Sequence, residues 1–192
     1  MSTSVNTSPP VKTYTLEEFW QLPDPPDRSK LELIDGVLYV TPPPEETHDD
    51  VVARLADILG AHRRARRYRG KIYFPRAAIW TSGRTYLEPD LFYVSDERST
   101  GFTPNHRDSA DLVVEVISPG SAVYDRNRKA ETYAALGVGE LWLIDETERT
   151  VEVRRQTGAG TFDEGRTFGR GESVESAVFP GLRLQVERLF TD

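Results

Sequence analysis

The sequence predicts a mixed α/β domain with helices packed on one sheet. An Asp-Gly pair separates two β-prone runs near the N-terminus, which is typical of a hairpin. Apolar residues with helical spacing follow over residues 48–66. The apolar runs 112–117 and 140–145 then indicate buried strands on either side of a second helix. The order helix, three strands, helix, strand implies a mixed sheet, preceded by the hairpin and followed by a β-meander.

The N-terminal residues predict a tail and a short helix. Residues 1–12 are rich in Ser, Thr and Pro, so we expect a disordered tail, and we expect residues 13–192 to form a single domain. Thr15 is a good N-cap residue, and Pro23 is expected to stop the helix that Thr15 begins.

The hairpin and the first long helix follow from local patterns. Strands are expected at residues 31–34 and 37–40, because both residues of the intervening Asp-Gly pair tolerate the positive φ of a tight turn. Thr47 and Asp50 resemble a capping box at the start of the amphipathic helix 48–66.

The rest of the chain alternates strands with one more helix. The polar segment 95–109 is expected to be an exposed loop. Asp125 can cap a second helix that ends at Gly137. Strands are predicted at residues 71–80, 87–94, 111–118 and 140–145, and in a closing meander at residues 151–155 and 161–168.

Composition excludes several classes of function. The chain has no cysteine, which rules out disulfides, thiolate zinc sites and cysteine nucleophiles. Its net charge of −7 argues against a general nucleic-acid coat, but a nuclease depends on the local field at its site. The arginine run at residues 63–69 could bind backbone phosphates, or could simply complement a helix C-terminus. No signal peptide or membrane-spanning run is visible, so we expect a cytoplasmic protein.

Two acidic residues interrupt apolar strands and form the most informative pattern. Glu115 lies in the middle of a run that reads as a strand buried on both faces. Asp90 directly follows Pro89 and opens another apolar run. Burial of an unpaired carboxylate costs several kcal/mol, so each acid needs a cation, a proton or hydrogen-bond donors.

A shared divalent ion would satisfy both acids if their strands are neighbours. Two carboxylates, with the backbone carbonyl of Val116 as the third ligand, suit Mg²⁺ or Mn²⁺. Such an ion lowers the pKa of bound water and neutralises charge on a phosphate. The residues therefore favour phosphodiester hydrolysis.

Longer sequence segments around these acids resemble those of the Uma-two family of the PD-(D/E)XK, or restriction-endonuclease-like, superfamily. The resemblance runs from about Leu31 to the C-terminus. It is carried by Leu31–Gly36, Pro89-Asp90, Leu112–Pro119, Tyr124-Asp125-Arg126 with Lys129, and Glu140–Asp145. It implies a restriction-endonuclease-like core, DNA as substrate, a metal-dependent endonuclease activity and a homodimer.

One position departs from the superfamily motif. The motif lysine is expected where this chain has Ile117, which cannot orient water. The resemblance suggests that Lys129 on the following helix takes this catalytic role, with Tyr133 one turn further on the same face. It also suggests that Glu32 completes the site, although Glu32 could instead face solvent.

Other residues and functions have ordinary alternatives. Glu115 could be a structural charge paired with Lys129 alone, and Asp90 a strand-entry residue. His48 could contact a substrate phosphate or act as a weak base, or be a surface histidine. Arg126 could bind phosphate or serve as surface charge. The protein could also be a nuclease fold that only binds a partner, or a glycosidase, although valine neighbours suit a metal better.

Overall fold

The chain forms two main sheets with helices packed against them in a computed structural model that describes residues 11–103, 106–117, 125–158 and 160–190. The helices are α1 (Leu16–Phe19), α2 (Glu46–Ala65), α3 (Asp96–Ser99) and α4 (Ala130–Ala135), with a π-helical turn at Asp125–Lys129 and a 3₁₀ turn at Val186–Leu189. The strands are β1 (Lys30–Ile34), β2 (Val37–Thr41), β3 (Lys71–Tyr73), β4 (Ile79–Thr81), β5 (Thr85–Leu87), β6 (Leu91–Val94), β7 (Leu112–Ile117), β8 (Glu140–Asp145), β9 (Thr150–Arg155), β10 (Arg166–Phe168), β11 (Ser173–Glu175) and β12 (Arg183–Gln185).

The larger sheet has six strands in the order β10-β9-β8-β7-β6-β3. β7 and β8 are parallel, and the other neighbours are antiparallel, so the predicted mixed α/β architecture is confirmed. A second sheet has the order β2-β1-β5-β4, and β11 pairs with β12. Apolar side chains cover both faces of the central strands, which explains why β7 lacks polar–apolar alternation.

The hairpin and α1 form where the local patterns predict them. In the hairpin turn Asp35 and Gly36 have φ of 51° and 83°, so both adopt the left-handed conformation that the Asp-Gly pair tolerates. Thr15 caps α1, and Glu18 completes a capping box by accepting from the Thr15 N–H.

Two predicted strands are wrong as continuous elements. The segment 71–80 divides into β3 and β4, and the segment 87–94 divides into β5 and β6; in each case the two halves belong to different sheets. Tertiary pairing causes these divisions, because the β-prone residues continue along the sequence while the strands with which they pair change. Each division carries the chain from one sheet to the other.

Several element boundaries also differ from the predictions. Thr47 lies inside α2, whose N-cap is Glu45 without a side-chain cap hydrogen bond, so the predicted capping box is wrong. Acidic residues in the first turn instead complement the helix dipole. The expected loop 95–109 contains α3, which Ser95 caps. The tail residues 1–10 and Ser118, at the end of a predicted strand, lie outside the described residues.

The second predicted helix and the C-terminal region complete the core. Helical residues run from Asp125 to Ala135, and Gly137 follows with a φ of 77°, as expected for a helix end. After the meander, the β11–β12 pair and the 3₁₀ turn contribute apolar residues to the core that also contains the buried face of α2. The sequence reading missed these short strands.

Candidate active site

The two predicted acids meet where the chain passes between the sheets. The chain leaves β5 at Leu87 and enters β6 at Leu91, so Asp90 ends the crossing. Leu91 pairs with Val114 of the antiparallel neighbour β7, which places Asp90 beside Glu115. Residues 90 and 115 therefore lie opposite each other on adjacent segments of the chain.

Asp90 is buried and receives three hydrogen-bond donors. Lys30 Nζ lies 3.1 Å from Asp90 Oδ1, and His48 Nε2 lies 3.1 Å from Asp90 Oδ2. The backbone N–H of Val116 donates to Asp90 Oδ2 at 2.9 Å. Elements from both sheets and from α2 thus converge on one carboxylate.

The charges around Asp90 determine its protonation. Burial alone would raise the pKa of Asp90, but Lys30, His48 and Lys129 together hold that pKa well below its usual range. Burial likewise disfavours the Lys30 ammonium, yet Asp90 is the main group that raises the pKa of Lys30 above its ordinary value. Asp90 is therefore an ionised carboxylate with cationic neighbours at neutral pH.

Glu115 is held by the helix that follows β7. Lys129 Nζ lies 3.1 Å from Glu115 Oε1, and the Tyr133 hydroxyl donates to the same oxygen at 2.5 Å. The four-residue spacing places both donors on one helical face. Ile117, at the position of the motif lysine, instead packs in the apolar core, while the Lys129 ammonium reaches Glu115 from the end of the π-helical turn that precedes α4.

Glu32 is fully buried, which excludes the solvent-facing alternative. Its Oε2 lies 2.9 Å from Lys129 Nζ, and its Oε1 accepts the N–H of Glu88 at 3.0 Å. Lys129 therefore bridges Glu32 of one sheet and Glu115 of the other.

Most of the groups around Asp90 and Glu115 line one open cavity of about 970 Å³. Its wall includes Lys30, His48, Glu88, Asp90, Glu115, Val116 and Lys129. A cavity of this size accommodates a small molecule or a short stretch of a polymer. The buried Asp90 and Glu115 therefore lie on the wall of a cavity that opens to solvent.

The donor chemistry fits a divalent ion. Two carboxylates offer hard oxygen atoms, and the Val116 carbonyl faces the same strand edge as the Val116 N–H that Asp90 accepts. Ammonium and imidazole groups already contact these oxygens, so an ion would have to displace some of them. Within the described part of the chain, no three His, Asp or Glu side chains form a ready-made metal cluster.

Some predicted site residues are not brought to this cavity. Arg126 forms ion pairs with Asp145, at 3.1 Å, and with Glu152. Tyr133 is fully buried and acts on Glu115, so it is placed to position a carboxylate. The arginine run 63–69 lies around the C-terminal end of α2, at the opposite end from His48.

Sequence reasoning missed two members of the cluster, Lys30 and Glu88. Lys30 and Glu32 are two residues apart in β1, so their side chains share one face of the strand. This spacing was a signal that could have indicated Lys30. Glu88 is buried, and burial raises its pKa while Arg76 and Lys30 oppose that rise. Its place two residues before Asp90 was the available signal.

We expect His48 to titrate above its ordinary pKa in the metal-free protein. Burial lowers the pKa of His48, but the hydrogen bond and charge of Asp90 outweigh burial and raise it. The interaction of the protonated His48 with Asp90 therefore stabilises the folded protein fully below the unfolded-state pKa of His48. This stabilisation is lost as pH rises through the folded-state pKa of His48. Proton NMR titration in EDTA measures this pKa, and Asp90→Asn is expected to lower it. An unchanged His48 pKa in Asp90→Asn would contradict the contact.

Comparison with known proteins places this cluster in a family. A family model described as "Putative restriction endonuclease" (Uma2) matches residues 16–187. The chain belongs to the Uma2 family. The resemblance read from the acidic motifs is thereby confirmed, and Asp90, Glu115 and Lys129 all lie within the matched Uma2 region.

A solved structure shares the fold of this Uma2 protein. It is a crystal structure from Anabaena variabilis described as "a putative nuclease belonging to DUF820", with a TM-score of 0.75. The sequences are 23% identical, and the match covers 92% of this chain and 97% of that chain. The comparison therefore shows a common fold over nearly the full length of both chains. No curated protein matches the chain.

Proposed function

We propose that this protein is a metal-dependent endonuclease that hydrolyses phosphodiester bonds of DNA. One observation carries the proposal: Asp90 and Glu115 come from neighbouring strands, lie side by side and open into one cavity. Membership of the Uma2 family, described as "Putative restriction endonuclease", supports this reaction class. DNA is proposed as the substrate on the same basis.

Asp90 and Glu115, with the carbonyl of Val116, would hold a Mg²⁺ or Mn²⁺ ion. Such an ion, when bound, supplies a water of lowered pKa and neutralises charge on the phosphate. The chain itself supplies an ionised carboxylate at Asp90, because its cationic neighbours keep the pKa of that group low.

The remaining cluster residues orient these groups. Lys129 stands between Glu32 and Glu115, and its ammonium has three protons with which to hold both carboxylates and to orient water or a phosphate oxygen. Tyr133 fixes the orientation of Glu115. His48 and Lys30 hold Asp90 from the other side, and His48 can meet a substrate phosphate in the cavity.

A second candidate function is a nuclease fold that binds nucleic acid or protein without cutting. The specific observation in its favour is that Lys30, Lys129 and His48 already contact the two carboxylates. These contacts satisfy the buried charges without an ion. Absence of a lysine at position 117 is consistent with the same reading.

Plasmid cleavage distinguishes the two candidates. Purified protein is expected to nick or linearise supercoiled DNA in Mg²⁺ or Mn²⁺ and to leave it intact in EDTA. Protein that binds DNA but produces no cleavage with either ion, across neutral pH, would favour the binding function instead.

A further inference from the structure

Three exposed arginines line the cavity from three separate connections. Arg28 precedes β1, Arg76 lies between β3 and β4, and Arg149 lies between β8 and β9. Among the described residues, none of these three guanidinium groups has a partner in an ion pair or a side-chain hydrogen bond. Three positive charges without an ion-pair partner among the described residues therefore line a cavity whose wall also holds carboxylates.

Two of these arginines have a costly backbone conformation. Arg28 has a φ of 65° and Arg149 a φ of 53°, in the left-handed region that favours glycine. Residues held in this region cost free energy and concentrate at functional sites. Neither guanidinium has an ion pair or a side-chain hydrogen bond among the described residues, so both are available to bind a ligand.

The third arginine shares the cavity wall with an acidic residue. Arg76 is exposed and lines the cavity together with Glu88. Its charge therefore lies on the solvent-exposed part of the wall. Acidic residues also line the opening, among them Asp50, which is 3.5 Å from Arg54 within α2.

We propose that Arg28, Arg76 and Arg149 bind backbone phosphates of a nucleic-acid strand on either side of the phosphate that reaches Asp90 and Glu115. This inference rests on the proposed function and assigns its substrate contacts. Guanidinium groups suit phosphate because they donate paired, charge-assisted hydrogen bonds. The three connections would position the strand across the opening, while the carboxylates lie below it.

Glycine substitutions separate binding from folding. Arg28→Gly and Arg149→Gly remove a charge and also relieve the left-handed backbone, so the melting temperature is expected to stay unchanged or to rise. Arg170→Gln is the charge-matched control: Arg170 is exposed, lies between β10 and β11, and is outside the cavity wall. The control loses the same charge at a position away from the cavity.

Fluorescence anisotropy with a 20-base-pair duplex in EDTA measures binding without cleavage. Each of Arg28→Gly, Arg149→Gly and Arg76→Gln is expected to raise Kd about fivefold to tenfold at low salt. The triple variant is expected to reduce the slope of log K against log salt by about 2 to 3, since each phosphate contact contributes about 0.9. Arg170→Gln is expected to leave both quantities unchanged.

Three results would overturn the assignment: no duplex binding by the wild type, unchanged Kd in the variants of Arg28, Arg76 and Arg149, or an equal loss in Arg170→Gln. The last would show only a general effect of net charge. Failure of the nuclease proposal is distinguishable, because a protein that never cleaves DNA can still bind it through these arginines. DNA cleavage by the wild type, together with an unchanged Kd in the variants of Arg28, Arg76 and Arg149, would overturn this inference alone.

Discussion

Glu115→Gln is expected to reduce DNA cleavage about a thousandfold or more while the protein stays folded. The substitution keeps the volume and the oxygen that accepts from Tyr133, but it removes the negative charge proposed to hold the ion. Loss of a charged group acting directly on the reaction typically costs several kcal/mol of transition-state stabilisation. Lys129 retains Glu32 as a partner, so its burial remains compensated.

Initial rates on supercoiled plasmid, with circular dichroism as the test of folding, measure this effect. Glu45→Gln is the matched control, because Glu45 lines the same cavity but is exposed and makes no side-chain cap hydrogen bond at the start of α2. The control is expected to cut at nearly the wild-type rate. Equal rates for the wild type and Glu115→Gln would show that Glu115 has no part in catalysis.

Lys129→Met is expected to lower the free energy of unfolding by about 3 to 5 kcal/mol, as removal of one partner from a buried ion pair usually does. Lys129 is only 2% exposed and lies within 3.1 Å of the carboxylates of both Glu32 and Glu115. Without its ammonium, both acids would lose a buried counter-charge. Urea unfolding monitored by tryptophan fluorescence measures the loss.

Two further variants test whether the loss comes from buried charge. Glu32→Gln combined with Lys129→Met is expected to be more stable than Lys129→Met alone, since one stranded carboxylate is removed. Lys71→Met, at an exposed lysine in β3, is expected to change stability by less than about 0.5 kcal/mol. A loss below about 1 kcal/mol for Lys129→Met would contradict the buried bridge between the sheets.

Local patterns in the sequence were sufficient to predict much of the fold. The hairpin turn at Asp35-Gly36 depends on two adjacent residues, and α2 depends on apolar spacing within one segment. The division of residues 71–80 between two sheets depends on distant partners: Lys71 pairs with Val94, whereas Ile79 pairs with Leu87. β-prone residues alone do not specify which sheet a segment joins.

The candidate site shows the same limit. Glu115 was identifiable because a carboxylate among valines demands compensation. Lys30 was missed because its contact with Asp90 joins residues 60 positions apart and crosses between sheets. Arg126 was predicted to bind phosphate because its ion-pair partners, Asp145 and Glu152, are distant in the sequence and come close to it only in the folded chain. Acids that need compensation are visible in a sequence, whereas the groups that compensate them depend on the fold.

The central claim is that Asp90 and Glu115 together hold a divalent ion, and anomalous diffraction from crystals soaked in Mn²⁺ tests it most directly. We expect an anomalous peak in contact with both carboxylates, with the Lys30 ammonium or the His48 imidazole displaced from Asp90. A cavity without such a peak, in which Lys30, His48 and Lys129 keep their contacts at millimolar Mn²⁺, would contradict the claim.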